Sequence, residues 1–420
     1  MIFLVILLIL IAFIGAPLFT IMGAGGLLAS HSAELDPVVL IIEMYRLASQ
    51  PNLIAIPLFT FAGMILASGG GTKRLIKLFN ALLGWMPGGL AIVTIMSCSA
   101  FTAFTGASGV TIIALGALLY PLLEHARYRD RFCLGLLTTS GSLGLLFPPS
   151  MAILLYGIVS GVSIDELFLS GMIPGLLLLL MLSVFSFFSA EKLHIESQKF
   201  SWPRMVSALR DSIWDIMLPI LILIGIFGGF VTITEVAALT AAYVLVLETV
   251  ITKKIHLTRD LPHILIDTTT LVGSILIILG MAMGLTNLLI DSQLPMKLLA
   301  VVEEHVDSQL QFLLLLNLFL LIVGAMMDIF SAIVVVVPLI MPLAARYNIE
   351  PVHLGIIFLA NLEIGYMTPP VGINLFIASQ RFGQPILKLF RATFPFLMIM
   401  LIWLLLISYI PFLSTWWQTP

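Results

Sequence analysis

The chain has 420 residues, of which 60% are hydrophobic and only 10% charged, with a formal net charge of -3. A soluble domain carries about 25% charged residues, and at a mean hydropathy of +1.16 the apolar surface exceeds what a water-soluble core hides. Composition excludes a cytosolic enzyme, a nucleic-acid binder and a disordered chain; it leaves an all-α polytopic membrane protein.

The N-terminus reads MIFLVILLIL with no basic residue ahead of the apolar run. A cleaved signal peptide has a positive flank there, so residues 1–30 are expected to be a retained span. Further charge-free windows follow at 47–72, 78–123, 132–164, 167–190, 216–234, 268–290, 308–327, 329–345, 364–380 and 392–420. A helix crosses in about 20 residues, so 78–123 is too long for one span. Its middle, SCSAFTAFTGASGVT from Ser97 to Thr111, is small and polar. A re-entrant helical hairpin over about 88–123 with that stretch at its tip fits. Residues 309–344 repeat this build around Met326, Met327 and Asp328. Cys98 and Cys133 form neither a zinc spacing nor a disulfide framework.

Shifting the chain by 221 residues lays Leu118 on Leu339, Pro121 on Pro342, Gly144 on Gly365 and Leu154 on Leu375. It also lays Pro148-Pro149 on Pro369-Pro370, and this dipeptide occurs nowhere else in the chain. Two related halves are a transporter signature. Basic residues flank the first hairpin (Lys73, Arg74, Lys77; Arg127, Arg129, Arg131), whereas Glu303, Glu304, Asp307 and Glu350 stand around the second. By the positive-inside rule the hairpins enter from opposite sides. The expected organisation is a first inverted repeat over 1–190 with a broken helix at about 132–160. A connecting loop and extra span follow over 191–231. A second repeat over 232–420 has its broken helix at about 352–380. Nine crossings and two re-entrant hairpins place the N-terminus in the cytoplasm and the C-terminus in the periplasm.

Proline lacks an N–H and clashes with the carbonyl four residues back. Pro148 and Pro149 therefore free the carbonyls of Gly144 and Leu145, and Pro369 and Pro370 free those of Gly365 and Tyr366. Such carbonyls must be buried in protein or line a wet cavity. Ser140, Gly141 and Ser142 neighbour one break, and Asn361, Glu363 and Thr368 the other. Each hairpin tip is expected to meet its own break, where carbonyl and hydroxyl oxygens suit a small cation such as Na⁺. The plainer alternative is a pair of proline kinks satisfied by neighbouring helices.

Asp328 sits inside an apolar stretch, where a charge is costly and usually functional; a cap for the returning helix is its second reading. Glu363 is the other such residue. Glu235, in TITE, reads as a capping carboxylate. Glu248 and Asp267, near span ends, are expected to reach the interface and carry no chemistry. Gly106-Ala107-Ser108-Gly109 matches the GxSG of rhomboid-type intramembrane proteases. A serine hydrolase there needs a membrane-buried histidine, and all seven histidines fall in loops or near span ends. No nucleotide-binding motif and no metalloenzyme motif is present, so the chain is not expected to be an enzyme and needs no cofactor.

At these residues the chain resembles the large membrane subunit of tripartite ATP-independent periplasmic (TRAP) transporters, the DctM-like permeases. The likeness runs over nearly the whole length. It includes IPLFTFAGMILASGG (56–70), LLGWMPGGLAIVTI (82–95), GASGVTIIALGALLYP (106–121) and GSLGLLFPPSMAILLYG (141–157). It continues in GGFVTITEVAA (228–238), GAMMDIFSAIVVVVPLIMPLA (324–344) and GYMTPPVGINLFIAS (365–379). The resemblance implies an inverted-repeat elevator-type transporter of the bacterial inner membrane, coupled to Na⁺ and moving organic acids such as C4-dicarboxylates or sialic acids. It also implies a small four-helix membrane subunit and a periplasmic substrate-binding protein as partners. Carried over by motif position, one sodium site uses Gly106, Ser108, Gly144, Leu146 and Pro149. The second uses Gly324, Met327, Gly365, Met367 and Thr368. The substrate is expected between them, with Asp328, Asn374, Ser142 and Glu363 as candidates. The first tip, TGASG, departs from the serine-rich tip of many members. A stand-alone sodium–carboxylate symporter is the second reading, and a hydrolase using Ser108 the third.

Overall fold

In the computed structural model, residues 7–8, 10–11, 16–32, 36–192, 200–291 and 293–418 are described. The retained span expected over 1–30 lies partly outside them. Most of its described part belongs to helix α1, Leu18–Ser32. Next come α2 (Val38–Ala48), a 3₁₀ turn at Pro51–Ile54 and α3 (Ala55–Ser68). A short amphipathic helix, α4 (Gly71–Leu83), leads into a helical hairpin of α5 (Gly89–Thr105) and α6 (Ser108–His125). Beyond it lie α7 (Asp130–Ser140) and α8 (Met151–Ser160), two collinear-in-sequence pieces parted by the first Pro-Pro, and the long α9 (Ile164–Lys192).

After α10 (Trp202–Asp211) and α11 (Ile213–Phe227), helix α12 (Ile233–Val246) runs on as a π turn to Ile251. The capping box predicted at its start is present: Thr232 N donates to Glu235 Oε2 at 2.7 Å, and Glu235 N to Thr232 Oγ1 at 3.3 Å. The second run comprises α13 (Leu261–Asp291), α14 (Leu294–His305), α15 (Gln309–Met326), α16 (Ile329–Arg346), α17 (Pro351–Gly365), α18 (Ile373–Phe382), α19 (Ile386–Tyr409) and α20 (Phe412–Thr415). Among the described residues there is no strand, and eight helices are long and apolar enough to cross a membrane.

The sequence offset reappears helix by helix. α6 starts at Ser108 and α16 at Ile329; α7 starts at Asp130 and α17 at Pro351. Both Pro-Pro bonds are cis, and both part a helix into two pieces. The entering arm of each hairpin packs on the first piece of its own half, α5 on α7 and α15 on α17. The returning arms cross over: α6 packs on α18 and α16 on α8. Around this centre, α13 packs against α1, α2 and α3, and α12 against α3.

Glu248 corrects the sequence reading. It is not at the interface but fully buried at the π turn, because Arg74 of α4 comes to meet it. Arg74 Nη2 donates to Glu248 Oε1 at 2.5 Å and to Asp215 Oδ1 at 2.8 Å, and its Nε donates to Asp215 Oδ2 at 2.6 Å. The remaining Glu248 oxygen accepts from Gly70 N at 3.1 Å and Thr252 Oγ1 at 2.7 Å. The three charges tie the approach to the first hairpin to α11 and α12.

Candidate functional site

The tip of the first hairpin turns at Gly106, whose φ of +65° is left-handed and strained for any residue with a side chain. A Cβ there would stand 2.7 Å from Met151 Cβ, so the tip lies against the start of α8, beyond its own break. Gly144, in the break, is pressed on the other side of the same hairpin: a Cβ would be 2.2 Å from Ser99 O and 2.5 Å from Ala103 N. Hydroxyls stitch these pieces together. Thr102 Oγ1 lies 2.7 Å from Thr111 Oγ1 and donates to Gly141 O at 2.8 Å, and Ser99 Oγ donates to Leu143 O at 3.3 Å.

The second tip is built alike. Gly324 and Gly365 meet backbone to backbone; a Cβ on Gly365 would stand 2.4 Å from Gly324 C and 2.5 Å from its Cα. The loop after Pro370 folds back on the tip, with Val371 N and Gly372 N both donating to Ala325 O at 3.1 and 3.2 Å. Asp328 caps α16, accepting from Ser331 N at 3.1 Å, and Tyr366 OH accepts from Ile329 N at 2.6 Å. Each tip thus touches its own break.

The expectation of free carbonyls needs correction. Gly144 O accepts from Phe147 N at 3.1 Å, Gly365 O from Thr368 N at 2.9 Å and Tyr366 O from Asn374 N at 3.1 Å. The prolines do abolish helical i→i+4 bonds, but i→i+3 turns reuse the carbonyls of Gly144 and Gly365, and the start of α18 reuses that of Tyr366. A carbonyl keeps a second lone pair, so each still has one to offer a cation. Leu146 O lies against Gly171 of α9, at 2.2 Å from a Cβ placed there. Pro149 and Met367 are buried, whereas Thr368 and Met327 are partly exposed; Thr368 Oγ1 donates to Ile364 O at 3.0 Å.

The first returning arm reaches the other half. Ser108 Oγ donates to Asn374 Oδ1 at 2.8 Å, joining one hairpin tip to the second break with both residues buried. Asn374 Nδ2 has no partner among the described residues. The partner that Ser108 has here is an amide oxygen, which is not a general base.

Ser142 is buried and spends its hydroxyl on Thr139 O at 3.4 Å. Glu363 is fully buried with both carboxylate oxygens unpartnered among the described residues. It lies two residues, or about 200° of helix, from Gly365, and therefore on the face of α17 turned away from α15. Sequence reasoning passed over Thr139 and Ser150, whose hydroxyls, with that of Ser140, are buried and without a partner among the described residues around the first break. Buried hydroxyls normally find a partner, so these three oxygens are available to a ligand. Their signal was present as TTSGS and PPS, flanking the Pro-Pro.

The two breaks differ in access. Pro149 and Ser150 are closed off, while Pro369, Pro370 and Val371 are exposed.

Residues 2–413 match the family described as tripartite ATP-independent periplasmic transporter, DctM component. A C4-dicarboxylate TRAP transporter large permease protein of Pseudomonas aeruginosa is 34% identical over 376 residues, covering 89% of this chain and 88% of that protein. A sialic acid TRAP transporter large permease protein of Vibrio cholerae is 34% identical over 364 residues, covering 86% of this chain and 84% of its own length. Among solved structures, the YdaH transporter of Alcanivorax borkumensis, described as having an unusual topology, aligns with a TM-score of 0.62. At 15% identity over 90% of this chain and 88% of that one, it speaks for the fold alone.

Proposed function

Because the chain belongs to the DctM family of tripartite ATP-independent periplasmic transporters, we propose that it is a sodium-coupled carrier of an organic acid anion, dicarboxylate- or sialic-acid-like. It works in the bacterial inner membrane, with the N-terminus in the cytoplasm and the C-terminus in the periplasm. A periplasmic binding protein delivers the substrate, and a small four-helix membrane subunit braces the carrier. The observation that carries this reading is the doubled contact of hairpin tip and proline break, at Gly106, Gly144 and Met151 and again at Gly324 and Gly365.

One sodium ion is assigned to Gly106, Ser108, Gly144, Leu146 and Pro149, the other to Gly324, Met327, Gly365, Met367 and Thr368. The hydroxyls of Thr139, Ser140 and Ser150, without a partner among the described residues, support oxygen ligation at the first. Asp328 and Asn374 stand at the second tip and break, near where the substrate would sit. Ser142 and Glu363 complete the candidate set, with Glu363 the least placed for contact because it turns away from α15. Transport follows an elevator motion in which the hairpins and broken helices move against α1, α11 and α12.

The test is uptake of labelled organic acids into proteoliposomes holding this chain and its small partner, with and without a binding protein and a sodium gradient. Sodium- and binding-protein-dependent uptake, weakened by Ser108→Ala and Thr368→Ala, is expected. Uptake that needs no binding protein would establish the stand-alone symporter instead, and uptake indifferent to sodium would remove both ion sites.

A further inference from the structure

Helices α4 and α10 lie against each other outside the hairpin core. Both divide sharply into a polar and an apolar face, GTKRLIKLFNALL and WPRMVSALRD, as helices do that rest along a membrane surface. Between them is a cleft of about 340 Å³ whose lining includes Lys77, Asn80, Trp85, Phe200, Ser201 and Arg204.

Among the described residues that line the cleft the charged ones are Lys77 and Arg204, both cationic. The neighbouring carboxylate, Asp211, is already held by Lys77. Arg204 has no carboxylate partner among the described residues, and the Ser201 side chain caps nothing, so the first turn of α10 keeps open N–H groups beside the guanidinium. Apolar flanks adjoin this cationic spot. Trp85 and Phe200 meet edge-on at 6.2 Å, Phe200 and Trp202 lie 6.3 Å apart, and all three are exposed. Tryptophan beside a cation is the composition of the headgroup layer of a bilayer.

We propose that this cleft binds the phosphate of an anionic phospholipid, with Arg204 on the phosphate and the acyl chains running past Trp85, Phe200 and Trp202. A free phosphate ion satisfies the cations but leaves the three aromatic side chains uncovered, so the lipid is the better fit. The site is independent of sodium coupling and of the substrate.

Native mass spectrometry of the purified chain, supplied in turn with phosphatidylglycerol and phosphatidylethanolamine, tests this. Wild type should retain phosphatidylglycerol preferentially. Arg204→Glu should lower that retention about tenfold or more, the loss of a charge-assisted hydrogen bond. Arg204→Lys should keep much of it, and Arg259→Glu, an exposed cation outside the cleft, should leave it unchanged. Because Arg204 lies at the surface, a failure of Arg204→Glu to fold would show as lost melting cooperativity, and Trp85→Ala with Phe200→Ala then gives the same readout. Equal retention of both lipids, no effect of Arg204→Glu, or displacement of the lipid by millimolar inorganic phosphate would overturn the proposal, the last in favour of a free-phosphate site.

Discussion

The Arg74 triad yields a prediction that depends on no assumption about transport. Arg74 is 14% exposed, Asp215 4% and Glu248 0%, so removing the guanidinium strands two carboxylates away from water. Burial opposes the Arg74 charge, but the hydrogen bonds and attraction of Asp215 and Glu248 outweigh it and hold the guanidinium protonated beyond its ordinary range. Breaking a buried pair costs about 3–5 kcal/mol. Arg74→Met, which leaves two orphans, should lie near the top of that range. Removing all the charge together should be far milder, since well-packed apolar replacements of buried ion pairs are often neutral. Arg74→Met/Asp215→Leu/Glu248→Gln keeps one oxygen for Gly70 N and should recover all but about 1–2 kcal/mol. Reversible unfolding in mixed micelles measures both variants, and exchange of the Gly70 amide reports the site locally. A single variant within about 1 kcal/mol of wild type, or a triple variant no better than the single one, would refute the argument.

Three further outcomes follow from the same physics. Gly365→Ala drives a methyl into Gly324 backbone and should cost about 1–3 kcal/mol together with most uptake; Gly273→Ala, which meets nothing within 4 Å, should be neutral or slightly stabilising in melting scans. Ser108→Ala leaves Asn374 Oδ1 buried without its donor, at about 1–3 kcal/mol, and a cycle with Asn374→Val should recover part of this; additive losses would mean that the bond carries no energy. Asp130 accepts from Lys388 Nζ at 2.7 Å and Tyr120 OH at 2.7 Å, and although burial pushes its pKa up, these partners bring the net shift below the usual aspartate range. A lowered folded-state pKa contributes stability above the unfolded value that disappears as pH falls through the folded one. Asp130→Asn should therefore lower stability at neutral pH by about 0.2–1 kcal/mol and flatten the acid limb of a melting-against-pH series.

Much of the fold was legible because membrane helices advertise themselves by length and polarity. The offset drawn from the Pro-Pro dipeptides set both hairpins within a few residues of α5–α6 and α15–α16. Caps at Glu235 and Asp328 were legible too, each depending on residues three positions apart. The misreadings concern partners distant in the chain. Glu248 looked like an interfacial carboxylate because its cation stands 174 residues earlier. The carbonyls before the prolines looked free because loss of a helical bond can be read from the proline alone, whereas the new donors depend on how the chain turns afterwards, at Phe147 N and Thr368 N, and on where the next helix starts, at Asn374 N.

Repetition announces which segments are equivalent but not which copy each one packs against. Were the halves separate, α6 would rest on α8 and α16 on α18; instead the returning arms are exchanged. Neither half then has a complete centre, because the second piece of each broken helix rests on the hairpin of the other half. The exchange is also unequal. Ser108 reaches Asn374, but the offset puts Ile329 where a second serine would stand and Ile153 where a second asparagine would. Pro149 and Ser150 of the first break are buried, whereas Pro369, Pro370 and Val371 of the second are exposed. The two breaks, which the sequence offset lays on one another, thus differ in polarity and in exposure, so equivalence in sequence does not carry over into equivalent surroundings.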